Sequence, residues 1–212
     1  MLRLHKIFSL ALFILMSGLN GQTTTTSQSS GNWSNSSTWD NGVPDVNANV
    51  VISSGHTVTV QQSVTANMND LTINSGGTLN SEALNISMKI KGDWTNSGSY
   101  LSGNSSTLSM IGSGAQVFSP GSNSYSSIII SNTGTNSIRF TADIDINKDL
   151  TLTDGTLDLN TNNPNISLSG DLSIANGATW TKGSGLITFD GSSQTYSDNN
   201  TTKQNIGNIE LQ

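Results

Sequence analysis

Pairs of apolar residues separated by one polar residue recur from Val50 to Leu211, and this period of two constrains the fold more than any other feature of the chain. The pairs are Val50-x-Ile52, Val58-x-Val60, Leu71-x-Ile73, Leu84-x-Ile86-x-Met88-x-Ile90, Leu108-x-Met110, Ile128-x-Ile130, Ile138-x-Phe140 and Ile144-x-Ile146. They continue with Leu150-x-Leu152, Leu157-x-Leu159, Ile166-x-Leu168, Leu172-x-Ile174, Ile187-x-Phe189 and Ile209-x-Leu211. Alternation of this kind puts the apolar side chains on one face of a strand and Ser, Thr, Asn or Lys on the other. Gly, Asn and Ser fill the gaps, as turns between strands require. With only eight Ala and two Glu there is little helix-forming material. The chain is all-β.

A longer repeat chooses the architecture. Asp70-Leu71-Thr72-Ile73 recurs as Asp149-Leu150-Thr151-Leu152, Gly77-Thr78-Leu79 as Gly155-Thr156-Leu157, Gly92-Asp93 as Gly170-Asp171, and Gln116-Val117-Phe118 as Gln194-Thr195-Tyr196, each 78 or 79 residues later. Four matches in the same order predict two units of about 79 residues, Gln61 to Arg139 and Phe140 to the end, the second cut short. Stacked rungs of a right-handed parallel β-helix account for this repeat, with roughly 20 residues per turn and a rod of about 40 Å. A β-sandwich is the alternative, since the strand spacing fits it too. The coil also explains why Ser, Thr, Asn and Gly make up half the chain while charged residues are 10%. Like residues stack from rung to rung, where charges repel but small polar groups hydrogen-bond.

The first residues read as a targeting segment. Arg3 and Lys6 precede the apolar run Ile7 to Met16, and Ser17 to Gln22 turn small and polar, which is the order of a secretory signal peptide over residues 1–21, cut after Gly21. The run is too short for a membrane span, so no membrane span remains after cleavage. Residues 22–30 have no apolar side chain and read as a flexible linker. Residues 31–60 form an opening segment and residues 61–212 the rungs. The absence of Cys removes disulfides and thiolate chemistry. A net charge of −6 with no basic run argues against nucleic acid as a partner.

The opening segment carries a family resemblance. Gly31-Asn32-Trp33, Ser37-Thr38-Trp39-Asp40-Asn41-Gly42-Val43-Pro44, Asn49-Val50-Val51-Ile52 and Gly55-His56-Thr57-Val58-Thr59-Val60 resemble the eight-glycine (G-eight) domain found at the start of large β-helical bacterial surface proteins. The rungs after it, Leu71-Thr72-Ile73 with Gly77-Thr78-Leu79 and Lys91-Gly92-Asp93-Trp94, are similar to those of such proteins. The resemblance implies an exported, adhesin-like or polysaccharide-associated protein. From the residues themselves, Trp33 and Trp39 are expected to cap the first rung.

The candidate chemistry is sparse. After the leader, the one histidine is His56, in a turn motif that suits a hydrogen-bonding role better than a catalytic one. Asp143 and Asp145 flank Ile144 and so project from the same outer face. Such a pair is a candidate for glycan contact, for glycosidic hydrolysis or, with Asp149, for Ca²⁺, and otherwise a solvated face. Trp94 and Trp180 lie next to turns and are candidates for stacking on sugar rings, against the commoner role of a tryptophan as a corner or core residue. Lys89 and Lys91 point outward on a plain strand. Thr57-x-Thr59 and Thr151-x-Thr153 are too isolated for an ice-binding array. The expectation is therefore a non-enzymatic β-helix, secreted or at the cell surface, without a required cofactor (Ca²⁺ being the candidate ion). It would space or present other domains, with extracellular polysaccharide or cell-surface components as partners; a carbohydrate-binding or polysaccharide-degrading β-helix is the competing reading.

Overall fold

A computed structural model describes residues 22–83 and 85–212. The expected signal peptide, residues 1–21, and the inward position expected for Leu84 lie outside the described residues. Apart from one 3₁₀ turn, Ser36–Thr38, the regular structure of the described residues is strand.

Every strand pairs in parallel with strands one turn before or after it, which excludes the antiparallel ladders of a β-sandwich. Three faces result. The first is a ladder of eight strands, running Thr24–Thr26, Asn49–Ile52, Leu71–Ile73, Trp94–Asn96, Gln116–Ser119, Ser137–Phe140, Thr156–Asp158 and Thr179–Thr181. The third is a ladder of seven, from Thr65–Met68 to Tyr196–Asp198. Between them the second face is divided. An early ladder holds Gly31–Asn32, Thr57–Thr59, Thr78–Ser81 and Ser99–Ser102, and a late ladder holds Ser124–Tyr125, Ile144–Ile146, Ile166–Leu168, Leu186–Phe189 and Asn208–Leu211. The chain visits the faces in turn, giving a parallel β-solenoid of about eight turns. Successive first-face strands start between 19 (Ser137 to Thr156) and 25 (Thr24 to Asn49) residues apart. At the usual strand spacing the eight-strand ladder is about 34 Å long.

The alternating pairs fill the interior. Val50, Leu71, Trp94, Phe118 and Phe140 occupy one column of the first face, each paired with the next. Met88, Leu108, Ile128, Leu150 and Leu172 occupy one of the third, and all are buried. Each fully buried aliphatic side chain contributes about 1.5–3 kcal/mol. Ile209-x-Leu211 is the exception to the pattern: the two are 49% and 79% exposed, on the last strand of the late ladder.

The repeated motifs turn out to be corner chemistry. The Oδ1 of Asp70 accepts the amide of Asp93 one turn on (2.8 Å), and that of Asp93 accepts the Val117 amide (2.8 Å). In the second set Asp149 accepts the Asp171 amide (2.9 Å) and Asp171 the Thr195 amide (2.7 Å). Glycine precedes the second aspartate of each set because a Cβ on Gly92 or Gly170 would collide with the carboxylate of Asp70 or Asp149. Gln116 donates to the carbonyls of Ile90 and Gly92 and accepts from the Gly112 amide, and Gln194 does the same with Leu168, Gly170 and Gly191. The two sets fall on different faces, Leu71 on the first and Leu150 on the third. A corner needs only a turn and a strand, so the same device serves any of the three.

Residues 22–30, expected as a linker, instead carry the first strand of the coil. Thr25 and Ser27 point inward and are each 2% exposed, with Thr25 paired above Val50. The other edge of this strand is closed by Asp40 and Asn41 of the opening segment. Asp40 Oδ1 accepts the Thr26 amide (2.7 Å), Asn41 Nδ2 donates to the Thr24 carbonyl (2.7 Å), and the Asp40 amide donates to the Thr26 carbonyl (3.0 Å). Trp39 packs edge-to-face on Trp33 at 5.1 Å and donates its indole N–H to the Trp33 carbonyl (2.8 Å). A strand made of Thr and Ser therefore folds because Asp40 and Asn41 satisfy its backbone, a provision that lies outside the strand's own sequence.

Candidate functional site

On the late ladder, Ile144 and Ile146 are buried, so Asp143 and Asp145 face out, as the alternation dictates. They line an open groove of about 410 Å³, together with Asn165 and Ser167 of the next turn and the loop Gly121–Ser124 of the turn before. Ser124, Asp145 and Ser167 are in register, one per turn.

The two carboxylates are used differently. Asp143 accepts the amide of Asn165 (2.7 Å) and its side-chain N–H (2.9 Å), and Asn165 passes the pattern on by accepting the Leu186 amide (2.9 Å). Asp143 is thus another corner group. Asp145 has no hydrogen-bond donor among the described residues, and its protonation is shifted upward by partial burial and, secondarily, by the negative charge of Asp190. Asp190 is shifted downward, because the hydroxyls of Ser167 and Ser169 donate to it. Asp149 faces another corner, where it holds the Asp171 amide. The three aspartates considered for Ca²⁺ do not converge, and no group of three His, Cys, Asp or Glu suited to a metal occurs among the described residues.

The groove wall is held from below by residues that the pattern of apolar pairs does not flag. Asn96 is 5% exposed and occupies an inward position. Its Nδ2 donates to Asn123 Oδ1 (2.8 Å) and to the Pro120 carbonyl (3.1 Å), while Asn123 Oδ1 also accepts the Tyr100 amide (3.0 Å). The Tyr125 hydroxyl donates to the same Pro120 carbonyl (2.7 Å). These contacts lie where the early and late ladders of the second face part, and the Asn123 side chain stands in for the missing strand-to-strand hydrogen bond. The visible signal is the polar partner in Trp94-x-Asn96, where the alternation calls for an apolar one.

Trp94 and Trp180 sit inside the coil, in contrast to the expectation that they stack on sugars. Trp94 is fully buried among Tyr100, Phe118 and Tyr125, with ring centroids 5.1 to 5.8 Å away, and donates its indole N–H to the Tyr125 hydroxyl (2.9 Å). Burial pushes the Tyr100 and Tyr125 hydroxyls up, so both stay protonated at any ordinary pH. Trp180 is 4% exposed and stacks in register on Leu157. Neither ring offers a face to solvent. His56 is far along the coil from the groove, with Nδ1 2.9 Å from the Ser27 hydroxyl and 3.0 Å from the Ser27 carbonyl. Ser27 is buried and its hydroxyl also accepts the Ser53 amide, so this serine–histidine pair ties the first turn to the second. Lys91 reaches Asn47 (3.2 Å), and Lys89 is exposed on the third face. Among the described residues no helix is long and apolar enough to cross a membrane.

With this geometry in view, comparison with known proteins gives one family. Residues 38–107 match the G8 domain. The matched segment begins beside Trp39, includes the Gly42-Val43-Pro44 turn and His56, and ends before the groove. No curated protein and no solved structure gives a significant match to the chain.

Proposed function

We propose that this chain is an exported, non-enzymatic β-helix module that holds other parts of a cell-surface assembly at a fixed separation, in an adhesin-like role. Stiffness is the working property. The observation that carries the reading is the use of the polar side chains: Asp70, Asp93, Asp143, Asp149 and Asp171 each bind a backbone amide one turn on. These five carboxylates are committed to fixing one turn on the next, which supports a stiff coil. The G8 match at the opening and the leader-like first 21 residues support export. No cofactor is required for this role. Ca²⁺ is a candidate ligand at most, and surface polysaccharide a candidate partner.

The chain has no cysteine, which makes the test direct. Spin labels placed through Thr26→Cys and Thr181→Cys sit at opposite ends of the first face. A rigid coil gives one narrow distance near 35 Å by pulsed electron resonance. A broad distribution would overturn the spacer reading. Release of new reducing ends from any polysaccharide, abolished by Asp143→Asn with Asp145→Asn, would overturn the non-enzymatic one.

A further inference from the structure

We propose that the groove on the late ladder of the second face binds a neutral polysaccharide strand, with Asp145 as its principal hydroxyl acceptor. This binding function goes beyond the spacer role and does not depend on it. Four observations lead there. The groove is open, about 410 Å³ in volume, and lined by Asn123, Ser124, Asp143, Asp145, Asn165 and Ser167 among others. These side chains accept hydrogen bonds from, or exchange them with, hydroxyl groups. The lining contains no Lys, Arg or His, and the whole chain carries a net charge of −6, so uronate and sulfated polymers are repelled and nucleic acids are not accommodated.

Within the lining, Asp145 differs from its neighbour. Asp143 is engaged by the amide and side chain of Asn165, whereas the Asp145 carboxylate faces the groove near Asp190 and has no donor among the described residues. A sugar hydroxyl gives it a charge-assisted hydrogen bond, stronger than one between neutral groups. Asp145 also stands in a regular row. Ser124, Asp145 and Ser167 repeat at the rung spacing, about 4.8 Å, along the coil axis. A row with that regularity suits a ligand that itself repeats along its length, a polymer rather than a single sugar. Finally, the wall is built before the ligand arrives, because Asn96 and the Tyr100 amide fix Asn123 from beneath. Little ordering entropy is then lost on binding. No aromatic side chain lines the groove, so each contact is weak, with a dissociation constant of order 1 mM for a short segment.

Affinity electrophoresis of the mature chain in native gels tests this. The gels contain dextran, galactomannan, arabinoxylan or mixed-linkage β-glucan on one side and polygalacturonate or alginate on the other, and mobilities are normalised to polymer-free gels. At least one neutral polymer is expected to retard the chain, neither acidic one to do so, and Asp145→Asn to weaken the retardation about fivefold. Thr59→Ala, on the early ladder, is expected to leave it unchanged, as is EDTA. The proposal fails if no neutral polymer retards the chain, if acidic polymers do so equally, if Asp145→Asn runs as the parent does, or if EDTA abolishes retention. The last result would assign the carboxylate to a bound cation instead. None of these outcomes bears on the spin-label distance.

Discussion

The early and late ladders of the second face are built by the same alternation and differ on the side that meets water. On the early ladder the outward columns are Thr57, Thr78 and Ser99 and, beside them, Asn32, Thr59, Asn80 and Leu101, with no charge among them. On the late ladder the corresponding column is Ser124, Asp145, Ser167, Thr188 and Glu210, with Asp143 and Asp190 alongside. Both interiors are buried; it is the exteriors that differ in charge. A solenoid stabilises itself turn by turn through its inward residues, so its outer columns are left to vary with little effect on the fold. Where the two ladders part, the strand-to-strand hydrogen bonds stop, an aromatic cluster fills the interior, and the loop from Gly121 to Ser124 swings out to make a groove. The difference teaches that the coil acquires a concave feature by interrupting one face while leaving the other two continuous.

The largest effect is expected at that junction. Trp94→Ala removes the centre of the aromatic cluster and the indole donor to Tyr125, and should cost about 3–5 kcal/mol in chemical denaturation. If the ladders are mechanically one body, both should unfold in a single transition. Separate transitions would show that the interruption divides the coil into two cooperative units. A smaller effect is expected for Asn96→Ala, which leaves the Pro120 carbonyl with one fewer donor and frees Asn123. A loss of about 1–3 kcal/mol is expected, with amide exchange rising first in residues 121–124 and staying low at Thr57–Thr59 of the early ladder. Uniform exchange would dissociate the groove wall from the buried asparagine.

The smallest effect is electrostatic and separates the two exteriors. Because Asp145 holds its proton to higher pH in the folded chain than an unfolded aspartate does, it favours the fold at low pH and opposes it as pH rises through its titration. Asp190 has the opposite sign: its contribution is present above the ordinary aspartate range and lost as pH falls through its lowered titration. Asp145→Asn should therefore stabilise the chain at pH 7, by only about 0.3 kcal/mol since the group is exposed and screened. It should be neutral at acid pH, with the gain shrinking in high salt. Paired denaturation curves at the two pH values measure it, and a loss of stability at pH 7 would mean that the Asp145 charge has a partner.

Most of the fold is legible because its signal is local and repeated. Ile144-x-Ile146 says which side of a strand is dry, and with it where Asp143 and Asp145 point. The same register logic puts the tryptophans inside. Trp94 follows Leu71 by 23 residues and Trp180 follows Leu157 by 23, about one turn each. The turn glycines beside them, by contrast, are equally compatible with an outward ring and do not decide the side. What the sequence conceals is compensation between distant segments. Thr24–Thr26 has no apolar residue, and it is a strand because it pairs with Asn49–Val51 on one edge and is closed by Asp40 and Asn41 on the other. Asn96 breaks the apolar rule for the sake of a loop 24 to 27 residues further on.

The closure of the first strand by Asp40 and Asn41 has a consequence for how the molecule meets others of its kind. A stack of parallel strands is a template, and an uncovered edge invites an arriving chain to add another layer, as in fibre growth. At Thr24–Thr26 the outward Thr26 amide and Thr24 carbonyl are held by the side chains of Asp40 and Asn41, and the Thr26 carbonyl by the Asp40 amide, so an arriving strand finds these groups already paired. The coil is sterile at that edge. Wherever many copies are crowded together, lateral contacts remain open to them, but addition of a strand at Thr24–Thr26 does not.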